Sequence, residues 1–293
     1  MKLKRHINFI SETVDIIKHE GNMTLYKVDG KDLYNAKDNI ELKNPDVLNN
    51  KLLYKFDNHF NFTLKVNDIG LTTLEGLPEK YAYAVQCHNN NLTDLKYSPR
   101  RIERDFDCSS NILSSLNGAP YSCESFYCQF NNELTDLKGA PKQVINVFDV
   151  GFCNNLTSLE GMPNGVSNID LIGCSNLTSL EGLPEKFGTI NLKGTGVYSL
   201  IDLAFDTSLD SIEWQGSKIS KIEYDFFINE ALHRSVNEDN YYNFLISYIK
   251  ENIDDYEPNE YSNLILPQEF YDTLDDDMKN MFKSIKTVAK YNL

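Results

Sequence analysis

Apolar residues recur along the middle of the chain with a period of 20 to 22 residues. Each period contains leucines spaced three apart and closes on a proline, as in the phrases Leu71–Pro78, Leu134–Pro141, Leu156–Pro163 and Leu177–Pro184. The prolines of successive periods are Pro78, Pro99, Pro120, Pro141, Pro163 and Pro184. A repeat of this length predicts a solenoid, because so short a unit can bury its apolar face only by stacking on the next unit.

Between the proline phrases, short segments alternate apolar and polar residues, which is typical of a β-strand with one buried face. The first inward position is held in eight repeats by Leu64, Val85, Phe106, Phe126, Phe148, Ile169, Ile190 and Ile212. The third is held by Val66, Cys87, Cys108, Cys128, Val150, Leu171, Leu192 and Trp214. The sixth is held by Asn90, Asn111, Asn131, Cys153, Cys174 and Thr195. We expect these sixth side chains to satisfy loop backbone groups of the neighbouring coil.

The segment Ile190–Val197 fits the pattern L-x-L-x-x-N-x-L. With the phrase L-T-S-L-E-G-x-P, it resembles the leucine-rich repeats of bacterial and tailed-phage proteins. The resemblance covers roughly residues 60–222 and implies an α/β solenoid of about eight repeats, with a short parallel β-sheet on its concave face. Related bacterial effector ligases carry a catalytic cysteine in a helical domain after the repeats. Here the last cysteine is Cys174, inside a repeat, so the resemblance stops at the repeats.

Residues 1–59 depart from the repeat and predict an α+β N-terminal cap over the open end of the stack. The apolar spacing favours a short amphipathic helix over Ser11–His19. Met23–Val28 and Lys31–Tyr34 flank an Asp-Gly pair, which suits the two-residue turn of a hairpin.

Residues 223–293 switch to helical spacing and predict an α-helical C-terminal cap. The order Ser235-x-x-Glu238 forms a capping box, which predicts a helix that begins at Val236. A second apolar stripe follows Pro267 and extends to Val288, so a second helix is expected there, packed on the last coil near Trp214.

The composition limits the classes of partner. The chain of 293 residues has 43 Asp and Glu against 28 Lys and Arg, for a net charge of −15. This balance argues against direct nucleic-acid binding, which needs clustered cations, and favours a protein partner with a basic surface. No membrane span or signal peptide is expected, so we predict a cytoplasmic protein, in the host cytoplasm if it is phage-encoded. The oligomeric state stays open.

No catalytic set is evident in the sequence. All six cysteines fall in inward or ladder positions, so we expect packing rather than disulfides or a metal site. The five histidines are scattered, and no P-loop, Gly-x-Ser-x-Gly or His-Glu-x-x-His occurs. We therefore expect no enzyme, no cofactor and no catalytic residues.

Function is expected on the concave face, the usual binding platform of a solenoid. The candidate partner-binding residues are Tyr83, Asp105, Asp107, Tyr127, Phe130, Asp149, Phe152, Asp170 and Glu213. In this hypothesis aromatic anchors provide burial and carboxylates orient a basic partner. The alternative is a solvated sheet face whose acids only keep the solenoid soluble. Phe130 and Phe152 are least explained by solubility, although either could turn into the loop instead.

The leading functional prediction is a non-enzymatic protein-binding module. By analogy with the phage repeats it resembles, a phage-encoded protein that acts on a host protein is one form of this prediction, and the viral or cellular origin stays open. Two alternatives remain open at this point. One is an acidic mimic of nucleic acid that occupies a DNA- or RNA-binding protein. The other is a structural subunit of a viral assembly that makes contact through its helical tail.

Overall fold

A computed structural model describes residues 14–20, 23–28, 31–36, 38–43, 47–48, 51–52, 55–57, 59–203, 209, 211–231, 236, 240–257, 260, 263–274, 276 and 279–280. Within these residues the middle of the chain forms a parallel β-solenoid of about eight turns, which confirms the predicted solenoid. The strands of successive coils pair in register and form one continuous sheet.

The first flank contains β1 (Val14–Glu20), β2 (Met23–Val28), β3 (Lys31–Ala36), β4 (Ile40–Glu41), β5 (Val47–Leu48) and β6 (Lys51–Leu52). The main sheet, which corresponds to the predicted concave face, contains β7 (His59–Lys65), β8 (Tyr81–Gln86), β10 (Asp105–Asp107), β12 (Ser125–Tyr127), β14 (Val147–Asp149), β15 (Asn168–Asp170), β16 (Thr189–Asn191) and β17 (Ser211–Glu213). A second, shorter row of paired strands begins at the first half of β8. It continues through β9 (Arg101–Ile102), β11 (Ser122–Cys123) and β13 (Gln143–Val144). At the other edge β4 pairs with β7 in parallel, so the sheet extends beyond the first repeat.

The buried face of the sheet follows the predicted frame. All first-position residues and seven of the eight third-position residues are buried. Trp214 is the exception, since it is half-buried and its ring stacks on Tyr224 at 4.9 Å between centroids. Phe106, Phe126 and Phe148 form a continuous stack through three coils, with centroids 5.8 and 5.5 Å apart. Burial of these side chains between coils provides the main stabilisation of the stack.

The predicted sixth-position ladder is confirmed for the three asparagines and two cysteines, whereas the Thr195 hydroxyl donates to the Leu192 carbonyl of its own coil (2.8 Å). In Asn111, Oδ1 accepts a hydrogen bond from the amide of Leu92 in the preceding coil (3.0 Å), and Nδ2 donates to the carbonyls of Cys87 and Cys108 (3.1 and 3.0 Å). Asn90 and Asn131 make the same contacts in their own coils. Where cysteine occupies the ladder, only the donor function remains, as in Cys174 Sγ, which donates to the Val150 carbonyl (3.2 Å).

The loop after the ladder position is one residue longer in the coils of Asn131, Cys153 and Cys174, where the next coil carries cysteine or threonine rather than asparagine at the ladder position. The asparagine oxygens accept the amides of Leu71, Leu92 and Leu113. In the next coils the equivalent amides of Leu134, Leu156 and Leu177 instead donate to a carbonyl three residues earlier in their own coil. In the coils of Leu134, Leu156 and Leu177, two residues separate the sixth position from the leucine, whereas one residue separates them in the earlier coils. The additional residue lets the leucine amide reach the carbonyl of the sixth residue in its own coil. The extra residue therefore replaces the acceptor that cysteine lacks.

The first flank differs in part from the sequence prediction. Met23–Val28 and Lys31–Ala36 pair as an antiparallel hairpin, as predicted. The helix predicted over Ser11–His19 is wrong, because Val14–Glu20 is a strand that pairs antiparallel with β2. The segment is rich in β-branched residues, which favour strands, and the hairpin edge supplies its backbone partners. The residues before Val14 lie outside the described part.

The last flank contains α1 (Lys221–Asn229), α2 (Tyr241–Asn252) and α3 (Gln268–Thr273). Two short 3-10 turns, Ile201–Leu203 and Ile253–Asp255, also occur among the described residues. The start predicted at Val236 is wrong, because that residue is buried but not helical, and α2 begins at Tyr241. The helix expected after Pro267 does begin at Gln268. It ends at Thr273, because Leu274 has an extended backbone (ψ 147°), so the prediction of one continuous helix as far as Val288 is wrong at this point. Val288 itself lies outside the described residues.

Glu223 in α1 joins the last coils to the helices. Its Oε1 accepts hydrogen bonds from Ser199 Oγ (2.7 Å), the Leu200 amide (3.0 Å) and the Tyr241 hydroxyl (2.9 Å). Burial raises the pKa of this carboxyl to about 6, although the three donors oppose the shift. Tertiary burial of Tyr241 against this carboxylate accounts for a helix start that the local capping signal did not predict.

Candidate functional site

The candidate site is the row of second-position side chains on the main sheet. The pairing register places Asp107, Tyr127, Asp149 and Asp170 side by side on four successive strands. Neighbouring strands in a sheet lie about 4.8 Å apart, so this central row spans roughly 15 Å. Lys65 and Gln86 precede it, and Asn191 and Glu213 follow it. The strand spacing alone therefore brings three carboxylates and a phenol together.

The acids of this row are tied to their own turns. Asp107 accepts hydrogen bonds from the amide and hydroxyl of Ser109 (3.0 and 2.6 Å). Asp149 accepts the Gly151 amide (2.9 Å), and Asp170 accepts the Ile172 amide (2.9 Å). Asn191 makes the equivalent bond in its own coil. These side chains are half-buried and help to turn the chain at the end of each strand.

Asp149 is the acid of the row whose pKa is shifted from its ordinary value. Burial raises the pKa of this carboxyl to about 6 and outweighs the hydrogen bond from the Gly151 amide. The negative charge of Asp170 raises the pKa further, and the amide of Gln129, which donates to Asp149, lowers it. The row therefore carries less negative charge at mildly acidic pH than its three aspartates suggest.

Phe130 and Phe152 lie at the rim of the sheet, three residues after the second position. Their rings stack in parallel with centroids 4.8 Å apart and planes 2° apart. The side chains are 50% and 38% exposed, so neither ring is tucked into the turn. Both residues have left-handed backbone, with φ of 59° and 58°. This conformation is unfavourable for a bulky side chain, and such outliers occur at functional sites.

Gly173 supports this aromatic pair in the next coil. Its φ is +71°, and a Cβ built there would lie 2.5 Å from Cδ1 of the Phe152 ring. The same position in the following coils is Gly194 and Gly216, both with positive φ. The two stacked phenylalanines are therefore followed by three coils with glycine at this position. The surface beside the acidic row is lower there because no side chain projects from it.

The other predicted residues lie apart from this centre or are already paired. Tyr83 is half-buried one coil before Asp107, and its carbonyl accepts the Arg104 amide (2.8 Å). Asp105 is exposed at the start of its strand. Glu213 forms an ion pair with Lys193 at 2.8 Å. The structure therefore brings Asp107, Tyr127, Phe130, Asp149, Phe152 and Asp170 together.

Sequence reasoning missed two residues that shape this surface. Gln129 donates to Asp149, and Arg104 forms an ion pair with Glu124 at 2.7 Å beside the first strands of the row. The sequence does contain an indication of Arg104, because Arg100, Arg101 and Arg104 form a cluster of positive charge in an otherwise acidic region. Gln129 offered none, because a glutamine between two strand positions is unremarkable in sequence.

The cysteines lie in the interior of the solenoid. All six cysteines are free and buried, and burial raises the pKa of the Cys123 and Cys174 thiols to about 12. Within this part of the chain, no group of three or more His, Cys, Asp or Glu side chains could hold a metal ion. None of the helices described has the length and apolar character needed to span a membrane.

Comparison with protein-family models, with curated proteins and with solved structures gives no match. The chemistry of this surface is therefore the basis for a functional assignment.

Proposed function

We propose that this chain is a non-enzymatic protein-binding module of the leucine-rich repeat type, which binds its partner through the concave face. The exposed Phe130–Phe152 stack supports the proposal most directly. Exposed aromatic patches mark interaction surfaces, and a left-handed conformation costs about 1–3 kcal/mol at each of the two positions. The left-handed turn itself recurs in all eight coils, from Asp68 to Gly216, so the fold needs that backbone conformation. It does not need an aromatic side chain there, since Gly173 and Gly194 occupy the same position without one.

The chemistry of the face suits a partner with an apolar anchor beside basic side chains. The aromatic pair offers a flat apolar surface of the kind found at the energetic centre of interfaces. The row of Asp107, Asp149 and Asp170 lies next to it and would orient Lys or Arg of the partner. Because the pKa of Asp149 is raised to about 6, binding of a basic partner is expected to strengthen between pH 5 and pH 7.

The hydrogen bonding of the row favours this function over a mimic of nucleic acid. A mimic needs a long line of free charge, because binding to nucleic-acid sites depends on many ionic contacts. Here the central acids accept bonds from their own turns, and Glu213 is paired with Lys193. The resemblance of the repeats to phage proteins extends the proposal to a phage-encoded protein that acts on a host protein in the host cytoplasm.

Affinity capture from a bacterial lysate, with the immobilised full chain, tests the proposal. We expect a partner that the wild type retains and that a Phe130→Ala, Phe152→Ala double variant loses. Ile112→Ala is the matched control, since Ile112 is 48% exposed but lies outside the row. Equal capture by the double variant and the wild type would contradict the proposal.

A second pair of variants isolates the contribution of charge. Asp107→Asn combined with Asp170→Asn removes two charges but keeps an oxygen for each turn amide, as Asn191 does naturally for the Lys193 amide at 3.1 Å. We expect weaker capture with no change in thermal stability. Full capture by this variant would show that the acids have only a structural role.

A further inference from the structure

A second surface, with the opposite charge, lies where the chain leaves the proline turns of the second to fourth repeats. It is a groove of about 630 Å³. The groove is lined by Lys96, Tyr97, Ser98, Arg100, Gly118, Ala119, Pro120, Tyr121, Gly139, Ala140 and Lys142. No lining residue is acidic, although the whole chain has a net charge of −15. We call this surface the cationic groove.

Backbone pairing aligns the central side chains of the cationic groove across coils. The Tyr121 amide donates to the Arg100 carbonyl (2.7 Å), and the Lys142 amide donates to the Tyr121 carbonyl (2.9 Å). Arg100, Tyr121 and Lys142 therefore form one column on three successive coils. Since adjacent coils are about 4.8 Å apart, the two cations start from backbone positions roughly 10 Å apart, with a tyrosine between them.

The two central cations have no partner of their own in the described part of the chain. Arg100 and Lys142 are exposed, and neither makes a side-chain ion pair or hydrogen bond with another described residue. Lys96 differs, because Asp94 pairs with it at 2.8 Å. Two unpaired cations beside a neutral floor of glycine and alanine leave a local excess of positive charge.

Tyr97 is the least expected residue of the groove. Five other repeats place glycine at this position of the turn: Gly76, Gly118, Gly139, Gly161 and Gly182, all with positive φ. Tyr97 takes the same left-handed conformation, with φ of 69°, and is 57% exposed. A bulky residue there is unfavourable for the fold and gains little burial in return, which points to a use outside the fold. Tyr121 is also half exposed.

We infer that the cationic groove binds an acidic, proline-rich segment of a partner protein in the polyproline II conformation. A polyproline II helix has three residues per turn and rises about 3.1 Å per residue, so acidic residues three apart lie on one face at about 9 Å. This spacing matches that of Arg100 and Lys142. Aromatic side chains line the grooves that recognise such segments, and Tyr97 and Tyr121 supply them here.

The size of the charged region favours a peptide over a nucleic acid. Specific or non-specific binding of a nucleic acid draws on many phosphate contacts, whereas this column offers two unpaired cations. Acids border the region on both sides: Glu79 precedes Arg100 in the same column, and Glu160 pairs with Lys138 in the turn beyond at 2.7 Å. A nucleic acid carries a charge at every residue and would meet these acids, whereas a segment with one carboxylate in three residues can place two of them in the groove with neutral prolines between them.

Fluorescence anisotropy with the full chain tests the inference. The probe is a fluorescein-labelled (Glu-Pro-Pro)4 peptide, and the matched probe is (Gln-Pro-Pro)4. We expect the acidic peptide to bind at least tenfold more tightly. Arg100→Glu with Lys142→Glu should weaken it at least tenfold. Lys186→Glu, an exposed cation on a later coil, is the control and should leave the affinity unchanged.

Tyr97→Gly separates binding from folding. The variant restores the residue that the other repeats use, so we expect its thermal midpoint to stay equal or rise while its affinity for (Glu-Pro-Pro)4 falls at least threefold. A purely structural tyrosine would instead lower the midpoint. Wild-type affinity in Tyr97→Gly would overturn the assignment of the ring to the site.

Four other results would overturn the inference. They are no binding of (Glu-Pro-Pro)4, equal binding of (Gln-Pro-Pro)4, an equal loss in Lys186→Glu, and tighter binding of labelled dT12 than of the acidic peptide. Self-association of the wild type that Arg100→Glu abolishes in sedimentation velocity would identify a second copy of the chain as the occupant, and would also overturn it.

Discussion

Asn111→Ala is the sharpest test of how the solenoid holds its loops. Asn111 is buried, and its Oδ1 is the acceptor for the Leu92 amide at 3.0 Å. Removing the side chain leaves that amide inside the stack with no partner. The two carbonyls that receive the Asn111 amide lose less, because Asn90 also donates to Cys87 and Asn131 also donates to Cys108.

The expected cost follows from these contacts. A buried amide left without an acceptor costs about 1–3 kcal/mol. The cavity left by the side chain adds about 1 kcal/mol. We therefore expect Asn111→Ala to lower the free energy of unfolding by about 2–4 kcal/mol, a large share of the 5–15 kcal/mol that is typical of a folded protein.

Cys174→Ala is the matched comparison at the same ladder position. The cysteine donates only a weak bond to the Val150 carbonyl, and the equivalent amide of the preceding coil, that of Leu156, already bonds to the Cys153 carbonyl (3.0 Å). No amide is orphaned, so we expect a loss of about 1 kcal/mol. Asn91→Ala, at the exposed neighbour of Asn90, should change stability by less than about 0.5 kcal/mol.

Urea denaturation measures the three variants, and amide hydrogen exchange locates the effect. The Leu92 amide should lose protection in Asn111→Ala more than its neighbours do. A loss in Asn111→Ala no larger than that in Cys174→Ala would refute the reasoning, and so would unchanged exchange at Leu92.

Two further predictions concern the concave face. Because burial raises the pKa of Asp149 to about 6, folding favours the neutral acid, and the stability it contributes is present below about pH 4 and lost as the pH rises through 6. Asp149→Asn should therefore raise the free energy of unfolding, measured by urea denaturation at pH 7.5, by about 1–2 kcal/mol after allowance for partial exposure. It should leave that free energy unchanged at pH 4, and equal effects at both pH values would contradict this. Gly173→Ala should lower stability by about 2–3 kcal/mol in thermal denaturation, because its φ is +71° and its methyl would meet the Phe152 ring. Phe152→Ala in the same chain should recover the steric part, and strictly additive losses would exclude the contact.

Much of the scaffold could be predicted because its signals are local and repeated. Alternation within each strand determines which side chains face inward, and every coil repeats the same choice. The buried Phe106–Phe126–Phe148 stack and the asparagine ladder both follow from this frame. Contacts in a solenoid join one coil to the next, so a register found in one repeat carries over to its neighbours.

Elements outside the repeat were less predictable because their conformation depends on a partner. Val14–Glu20 has a spacing that also suits a helix, and only pairing with β2 makes it a strand. Helix α2 begins at Tyr241 rather than Val236, where the buried hydroxyl meets Glu223. In both cases a tertiary contact outweighs a weak local preference.

The sequence by itself determined the solenoid, its inward frame and the row of acids on the concave strands, because each depends on spacing within about 21 residues. Only the tertiary structure decided what those side chains do. It showed that the acids accept bonds from their own turns and that Phe130 and Phe152 stack in the open. It also aligned Arg100 and Lys142, 42 residues apart in sequence, on one side of an acidic chain. Net charge is a sum over the chain, whereas a partner meets only the charges that folding places together.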